Sequence, residues 1–273
     1  LRRFSRSSRP ELRLAAAAAA GLGWGWFEAG WVRLRVRELP IAGLPAELDG
    51  LCIAHLSDFH LGVPSRGVRA VERAVDWVAG RRPELVCITG DLLSRPRAEG
   101  QLHDLLSRLE HPYVVLGNHD YAYSRDPFSR PAGVEQIDNG TLLSDATVEV
   151  ELRGHRVELG GIDPRTWLER GASGFPPSDA DLRILLCHFP RVLDHVEPGR
   201  WHLVLAGHLH AGQIVLPDGR RRLLLAHPSA PYPEGVFVRG ETTMHVSPGL
   251  GTTFVPFRYF ARPEATELVL RSR

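Results

Sequence analysis

Lysine is missing altogether: every one of the 33 basic residues in this 273-residue chain is arginine. Thirty-two acidic residues nearly cancel them, leaving a formal net charge of +1 with the two signs interspersed. No basic field of the kind that marks a nucleic-acid binder is present, so no nucleic-acid partner is expected. Cysteine is scarce too. Cys52, Cys87 and Cys187 all fall inside apolar runs, and an odd count of three offers no disulfide framework, so they read as buried free thiols. No internal repeat is apparent. With 43% hydrophobic residues the chain has enough apolar surface for one large α/β core.

What is present in quantity is histidine, thirteen in all, and several stand at telling places. Five apolar runs, at residues 51–56, 85–89, 113–116, 182–186 and 203–206, read as buried strands, and each is followed by side chains that bind metal. Those followers are Ser57-Asp58-Phe59-His60, Gly90-Asp91, Gly117-Asn118-His119-Asp120, His188 after Cys187, and Gly207-His208-Leu209-His210. In open α/β sheets ligands gather beyond the carboxyl ends of strands, so five such ends can meet at one place. Asp58 and His60 are two apart, as are His208 and His210, and extended backbone would turn each pair to one side. Glycine before Asp91 and before Asn118 lets backbone turn and come close to an ion or a phosphate. Mixed imidazole and carboxylate or amide donors suit manganese, iron or zinc better than calcium, and a donor set without cysteine argues against a structural zinc. The site reads as catalytic.

Asp-x-His, Gly-Asp, Gly-Asn-His-Asp, a lone His and Gly-His-x-His, in that order over residues 45–270, resemble the calcineurin-like metallophosphoesterase superfamily. The stretch from Gly207 to Pro217, with Ser247-Pro248-Gly249-Leu250-Gly251 and Arg262-Pro263-Glu264, is similar to a branch of bacterial membrane-associated phosphodiesterases, some of which cleave UDP-2,3-diacylglucosamine. The resemblance implies an α/β (α+β) fold, a four-layer sandwich of two mixed sheets flanked by helices. It also implies two divalent metal ions, one held by Asp58, His60, Asp91 and His210, the other by Asp91, Asn118, His188 and His208. It further implies in-line attack on phosphorus by a metal-held hydroxide, with His119 protonating the leaving oxygen, as suits an imidazole. Asp120 would orient His119 or touch substrate. The implied activity is that of a phosphodiesterase acting on a lipid-linked or envelope phosphoester. A UDP-2,3-diacylglucosamine pyrophosphatase and a non-catalytic metal-binding protein on the same fold are the alternatives.

The chain departs from some branches. Gly90-Asp91 continues as Leu92-Leu93-Ser94-Arg95, without the Asp-Arg-Gly expected of Ser/Thr protein phosphatases, and a histidine at position 60 differs from purple acid phosphatases. Ala211 stands where the favoured branch usually has a second glycine. The other histidines, His55, His227 and His245 among them, read as surface or satisfied core residues, and an odd offset puts His55 on the strand face opposite Asp58.

Composition divides the chain near residue 40, with an anchor or export signal plus linker over 1–40 and the catalytic domain over 41–273. Residues 14–32 carry Ala, Gly, Leu and Trp with Glu28 as the single charge, a stretch whose helical length just spans a hydrocarbon core. Trp24, Trp26 and Trp31 look like interfacial anchors, and five arginines between positions 2 and 13 favour an inner-membrane anchor with the catalytic domain outside. A cleaved export signal and a helix packed on the protein itself are the alternatives. Between the motifs, Arg66 to Ala79 and Leu102 to Leu109 have helical spacing, and 141–161 reads as a hairpin opening a second sheet. Arginines 125 and 130 are candidate phosphate grips, and the loops 125–133 and 171–179 are candidate substrate-side loops. Phe254, Phe257, Tyr259 and Phe260 read as packing against the sandwich.

Overall fold

A computed structural model describes residues 8–121, 123–124, 126–131, 133–134, 136–170, 174–219 and 221–273. Ala122, Arg125 and the start of the 171–179 loop therefore lie outside the described residues, as do the arginines at positions 2, 3 and 6.

The five expected strands form within a residue of their apolar runs: β2 (Cys52–Leu56), β3 (Leu85–Thr89), β4 (Tyr113–Val115), β8 (Leu182–Cys187) and β9 (Leu203–Ala206). Around them lie β1 (Arg33–Ile41), β5 (Thr141–Leu142), β6 (Ala146–Leu152), β7 (His155–Ile162), β10 (Val215–Asp218), β11 (Arg221–Leu224), β12 (Gly235–Arg239), β13 (Thr242–Val246) and β14 (Glu264–Ser272). The first sheet runs β1-β14-β2-β3-β4-β5 and the second β12-β13-β9-β8-β7-β6, with β10 and β11 a separate hairpin. Both sheets are mixed. β2, β3, β4 and β5 are parallel neighbours in one, β7, β8, β9 and β13 in the other, and antiparallel pairs occur in each.

The sheets face each other over an apolar layer built from Ile53, Cys87, Val115 and Leu268 on one side and Leu159, Ile184, Leu186 and Leu205 on the other. Fully buried strands need apolar residues on both faces, which is why these runs do not alternate. The outer face of the first sheet is covered by α2 (Gly67–Arg81) and α3 (Glu99–Leu106). In α2 the apolar stripe Ala70, Val71, Ala74, Val75 and Val78 is buried, as its helical spacing predicts. Trp201, Val192 and Leu193 pack on the outer face of the second sheet, where the short helix α4 (Trp167–Arg170) also adds Trp167. Two mixed sheets flanked by helices are thus the architecture expected.

The hairpin expected around Arg153-Gly154-His155 forms from β6 and β7 in the second sheet, while Thr141–Leu142 joins the first sheet beside β4. β1 pairs with β14 in parallel along all nine of its residues. Residues 14–32 are not one apolar spanning helix. Helix α1 (Ser8–Glu28) ends at Glu28, which is buried and accepts a hydrogen bond from the backbone N–H of Ala261 at 2.9 Å. Its last turns rest on the domain, with Gly25 against Tyr259, Trp26 against Phe257, and the Tyr259 hydroxyl donating to the Gly21 carbonyl at 2.9 Å. No helix among the described residues is long and apolar enough to cross a membrane.

Candidate metal centre

All the strand-end loops converge at one end of the sandwich, held together by their backbones. Asp58 N–H donates to the Gly90 carbonyl at 2.9 Å and His60 N–H to the Asp91 carbonyl at 2.9 Å, so the loop after β2 runs beside the loop after β3. Gly207 N–H reaches the His188 carbonyl at 3.1 Å, and Leu250 N–H the Ser57 carbonyl at 3.0 Å. This close stacking explains the glycines before the ligands. A Cβ on Gly117 would sit 2.5 Å from the Asp91 nitrogen and 2.7 Å from its carboxyl carbon. On Gly207 it would meet Ser57 and lie 2.6 Å from an Asp58 oxygen.

Three interlocking groups of donor atoms result: Asp58, His60 and His210; His60, Asp91 and His119; and Asp91, His188 and His208. On one side His60 Nε2 lies 3.1 Å from His210 Nε2, and Asp58 Oδ1 lies 3.5 Å from His210 Nε2 and 4.0 Å from His60 Nε2. On the other, His188 Nε2 is 3.2 Å from both Asn118 Oδ1 and His208 Nδ1. Asp91 stands between them. Its Oδ2 is 3.4 Å from His60 Nε2 and 3.2 Å from His188 Nε2, while Oδ1 accepts the backbone N–H of His119 at 2.8 Å. That Oδ2 is buried, facing these two imidazole nitrogens. A buried carboxylate is costly unless a positive charge faces it, either a protonated imidazole such as His188 or a metal cation in its place. The imidazole nitrogens gathered 3.1–3.2 Å apart on either side can offer lone pairs to such a cation once deprotonated. The donor set therefore fits divalent metal, with Asp91 standing between its two sides.

The electrostatics agree. Burial raises Asp58 to about 6. Burial would raise Asp91 as well, but the facing His188, His119 and His60 hold it well below the ordinary carboxylate value. Burial lowers His188, but Asp91, Asp58 and the Thr89 carbonyl together outweigh it and raise the ring to about 9. Burial holds His208 down to about 3 and His60 and His210 well below the imidazole value. Most of the imidazoles are thus neutral and ready to donate lone pairs.

The expected residues all come to the site, though not by the expected geometry. Asp58, His60, His208 and His210 have φ of 56°, 48°, 78° and 50°, so the i and i+2 pairs meet through left-handed turns, not through extended backbone. Asp91 shares that region at 55°. Such conformations cost of order 1–3 kcal/mol each for non-glycine residues and cluster at functional sites.

His119 is buried, with its ring edge-on to His60 at 4.7 Å and its Nδ1 3.9 Å from Asp126 Oδ2. Nδ1 has no hydrogen-bond partner among the described residues. Asp120 is engaged by two backbone donors, Leu93 N–H at 2.9 Å and Gly117 N–H at 2.8 Å, and so ties two ligand loops together. Burial, with Asp91 nearby, raises it to about 7. Arg130 turns its guanidinium to the carbonyls of Pro127 and Ser129 in its own loop. His55 is a core residue: it sits between the sheets, 2.8 Å from His245 and 2.9 Å from the Thr89 hydroxyl.

Two residues escaped the sequence reading. Arg258 is fully buried, donates to the carbonyls of Pro248, Gly251 and Ala261, and approaches His210 Nδ1 at 3.1 Å. No local pattern signals it, because its partners are carbonyls that any sequence supplies. His227 lies at the lip, its ring 6.1 Å from that of His208. Ser94, from the departure at Leu92-Leu93-Ser94-Arg95, meets His60 Nδ1 at 3.0 Å and sets that ring's orientation.

Comparison with known proteins agrees with the geometry. The calcineurin-like phosphoesterase family profile matches residues 52–212, more than half of the chain and all of the clustered side chains. A zebrafish (Danio rerio) transmembrane protein with metallophosphoesterase domain is 34% identical over 263 residues, covering 86% of this chain and 56% of its own length. The uncharacterized metallophosphoesterase YkoQ of Bacillus subtilis is 28% identical over 232 residues, covering 82% of this chain and 84% of its own. Phosphodiesterase YaeI of Escherichia coli is 28% identical over 268 residues, covering 89% and 90%. The fold and site are those of a metal-dependent phosphoester hydrolase domain. The chain belongs to the calcineurin-like phosphoesterase family.

Proposed function

We propose that the protein is a binuclear-metal-dependent phosphodiesterase acting on a lipid-linked or envelope phosphoester. The observation that supports two ions is Asp91 Oδ2, buried between His60 on one side and His188 on the other. In this reading Asp58, His60, Asp91 and His210 hold one ion and Asp91, Asn118, His188 and His208 the other, the ions being manganese, iron or zinc. When bound, the ions supply Lewis acidity toward the phosphoryl oxygens and a water acidic enough to ionise near neutral pH. The chain does the rest. His119 carries a proton to the leaving oxygen, with Asp126 behind its Nδ1, and Asp120 holds the Asn118 and Asp91 loops in register. The diester preference is supported by the likeness to phosphodiesterase YaeI.

Membrane association is supported by α1. Residues 10–20 of the helix are exposed on every side, and no charge occurs between Arg13 and Glu28. An all-round apolar helix of this kind asks for an apolar environment. Trp24, Phe27 and Trp31 form an exposed ring cluster at its base, with the Arg262 guanidinium 3.6 Å above Trp31 and that of Arg66 5.5 Å from Phe27, an arrangement suited to the headgroup layer. The catalytic domain then begins at β1.

Metal analysis of the purified chain, with hydrolysis of bis-p-nitrophenyl phosphate and p-nitrophenyl phosphate, tests the chemistry. Two ions per chain and metal-dependent cleavage of the diester are expected, with Asp91→Ala losing metal and activity and His119→Ala losing activity alone. A chain that binds no metal would end this reading.

A further inference from the structure

Two pockets open beside the centre, one on each side of a ridge made by Leu209, Ala226 and His227. The first, about 480 Å³, includes His208 in its wall; the second, about 440 Å³, includes His210. Both volumes fall in the ~300–1,000 Å³ range of ligand clefts. Since His208 and His210 belong to opposite sides of the Asp91 oxygen, a phosphate lying over the centre has one pocket at each flank.

The pockets differ in chemistry. Trp167, Phe189, Pro228 and Pro231 wall the first, with the rings of Trp167 and Phe189 5.0 Å apart at 35° and Phe189 edge-on to His208 at 4.7 Å. Flat walls at such spacings suit a planar ring. The second is walled by Ile214, Leu225, Phe254 and Val255, with no carboxylate or guanidinium among its described lining residues. Its far wall is held in place by Gln213, whose amide donates to the carbonyls of Thr253 and Val255 at 2.7 and 3.1 Å and accepts the Thr253 N–H at 2.9 Å. A wall fixed in this way needs little reordering when a chain enters.

We propose that the substrate is a phosphodiester with a planar ring on one ester arm, seated beside His208, and a flexible aliphatic chain on the other, seated beside His210. This rests on the phosphodiesterase reading above and narrows it. A monoester would leave one pocket empty.

The manganese-loaded full chain is assayed with methyl p-nitrophenyl phosphate and octyl p-nitrophenyl phosphate. The octyl ester should be preferred by about tenfold or more in kcat/KM, chiefly through KM, because each buried methylene contributes to binding. Val255→Trp, which fills the aliphatic pocket, should bring that preference down to unity. Ala230→Trp, in the wall of the ring pocket, should raise KM for both diesters and keep the preference. Equal turnover of the two esters by the native chain, or a preference that survives Val255→Trp, would overturn the two-pocket assignment. Failure to cleave any p-nitrophenyl ester, with metal bound, would instead overturn the phosphodiesterase reading on which it stands.

Discussion

A single methyl group at residue 117 should disable the centre without touching its charge. Gly117 packs against Asp91 so closely that a Cβ there would stand 2.5 Å from the Asp91 nitrogen, where ordinary contact begins at 3.4 Å. The loops after β3 and β4 must therefore part by about 0.9 Å, and they carry Asp91 and Asn118, the two oxygen donors facing His188. Misplacement of about 1 Å costs on the order of 10²-fold in rate. Overpacking itself costs roughly 1–3 kcal/mol, enough to lower the unfolding temperature by several degrees but not to unfold a domain of ordinary stability. Gly117→Ala should thus remain folded by circular dichroism while kcat for bis-p-nitrophenyl phosphate falls about a hundredfold and one ion is lost or weakened. Full metal content with native turnover in a folded Gly117→Ala would refute the steric reasoning.

Other outcomes follow from the same geometry. Asp58 at about 6 and His188 at about 9 hold protons that an incoming cation displaces, so the metal-free chain should bind manganese more tightly as pH rises from 6 to 9 and release protons as it does. Calorimetry in buffers of different ionisation enthalpy would show this, and an affinity flat with pH would contradict it. Arg258→Met leaves the Pro248, Gly251 and Ala261 carbonyls without this donor in the interior, at a cost of about 1–3 kcal/mol for each buried acceptor left unsatisfied. Denaturant unfolding of the metal-free protein measures it, and an unchanged midpoint would count against the role. If α1 sits at a membrane interface, Trp24→Ala with Trp31→Ala should reduce co-sedimentation with anionic vesicles and leave the metal content alone. Equal sedimentation of both proteins would exclude it.

Much of the site was legible because its ligands are local. Each stands two to four residues past an apolar run, and those runs read as buried strands. The carriage of the side chains was not legible, since the left-handed φ at Asp58, His60, Asp91, His208 and His210 arises from neighbouring loops pressing together, not from their own sequence. Edge strands were lost for a different reason. Arg33–Ile41 alternates arginine with apolar residues, which reads as the charged flank of a membrane segment until β14, more than 220 residues away, supplies its partner. Arg258 and His227 sit in no motif, and only the tertiary approach to His210 and His208 reveals them.

The left-handed ligands have an evolutionary corollary. Five side chains each held at positive φ together cost about as much as a typical domain's whole stability, of order 5–15 kcal/mol. The centre is thus the least comfortable part of the fold in the absence of metal, and the direction of drift is biased. Exchanging His208, at φ 78°, for glycine should yield a metal-free protein harder to unfold than its parent. A lineage released from selection for hydrolysis would then shed its ligands early and keep its sandwich. Catalytically silent descendants should be recognised by glycines at the strand ends before any erosion of the core between the sheets.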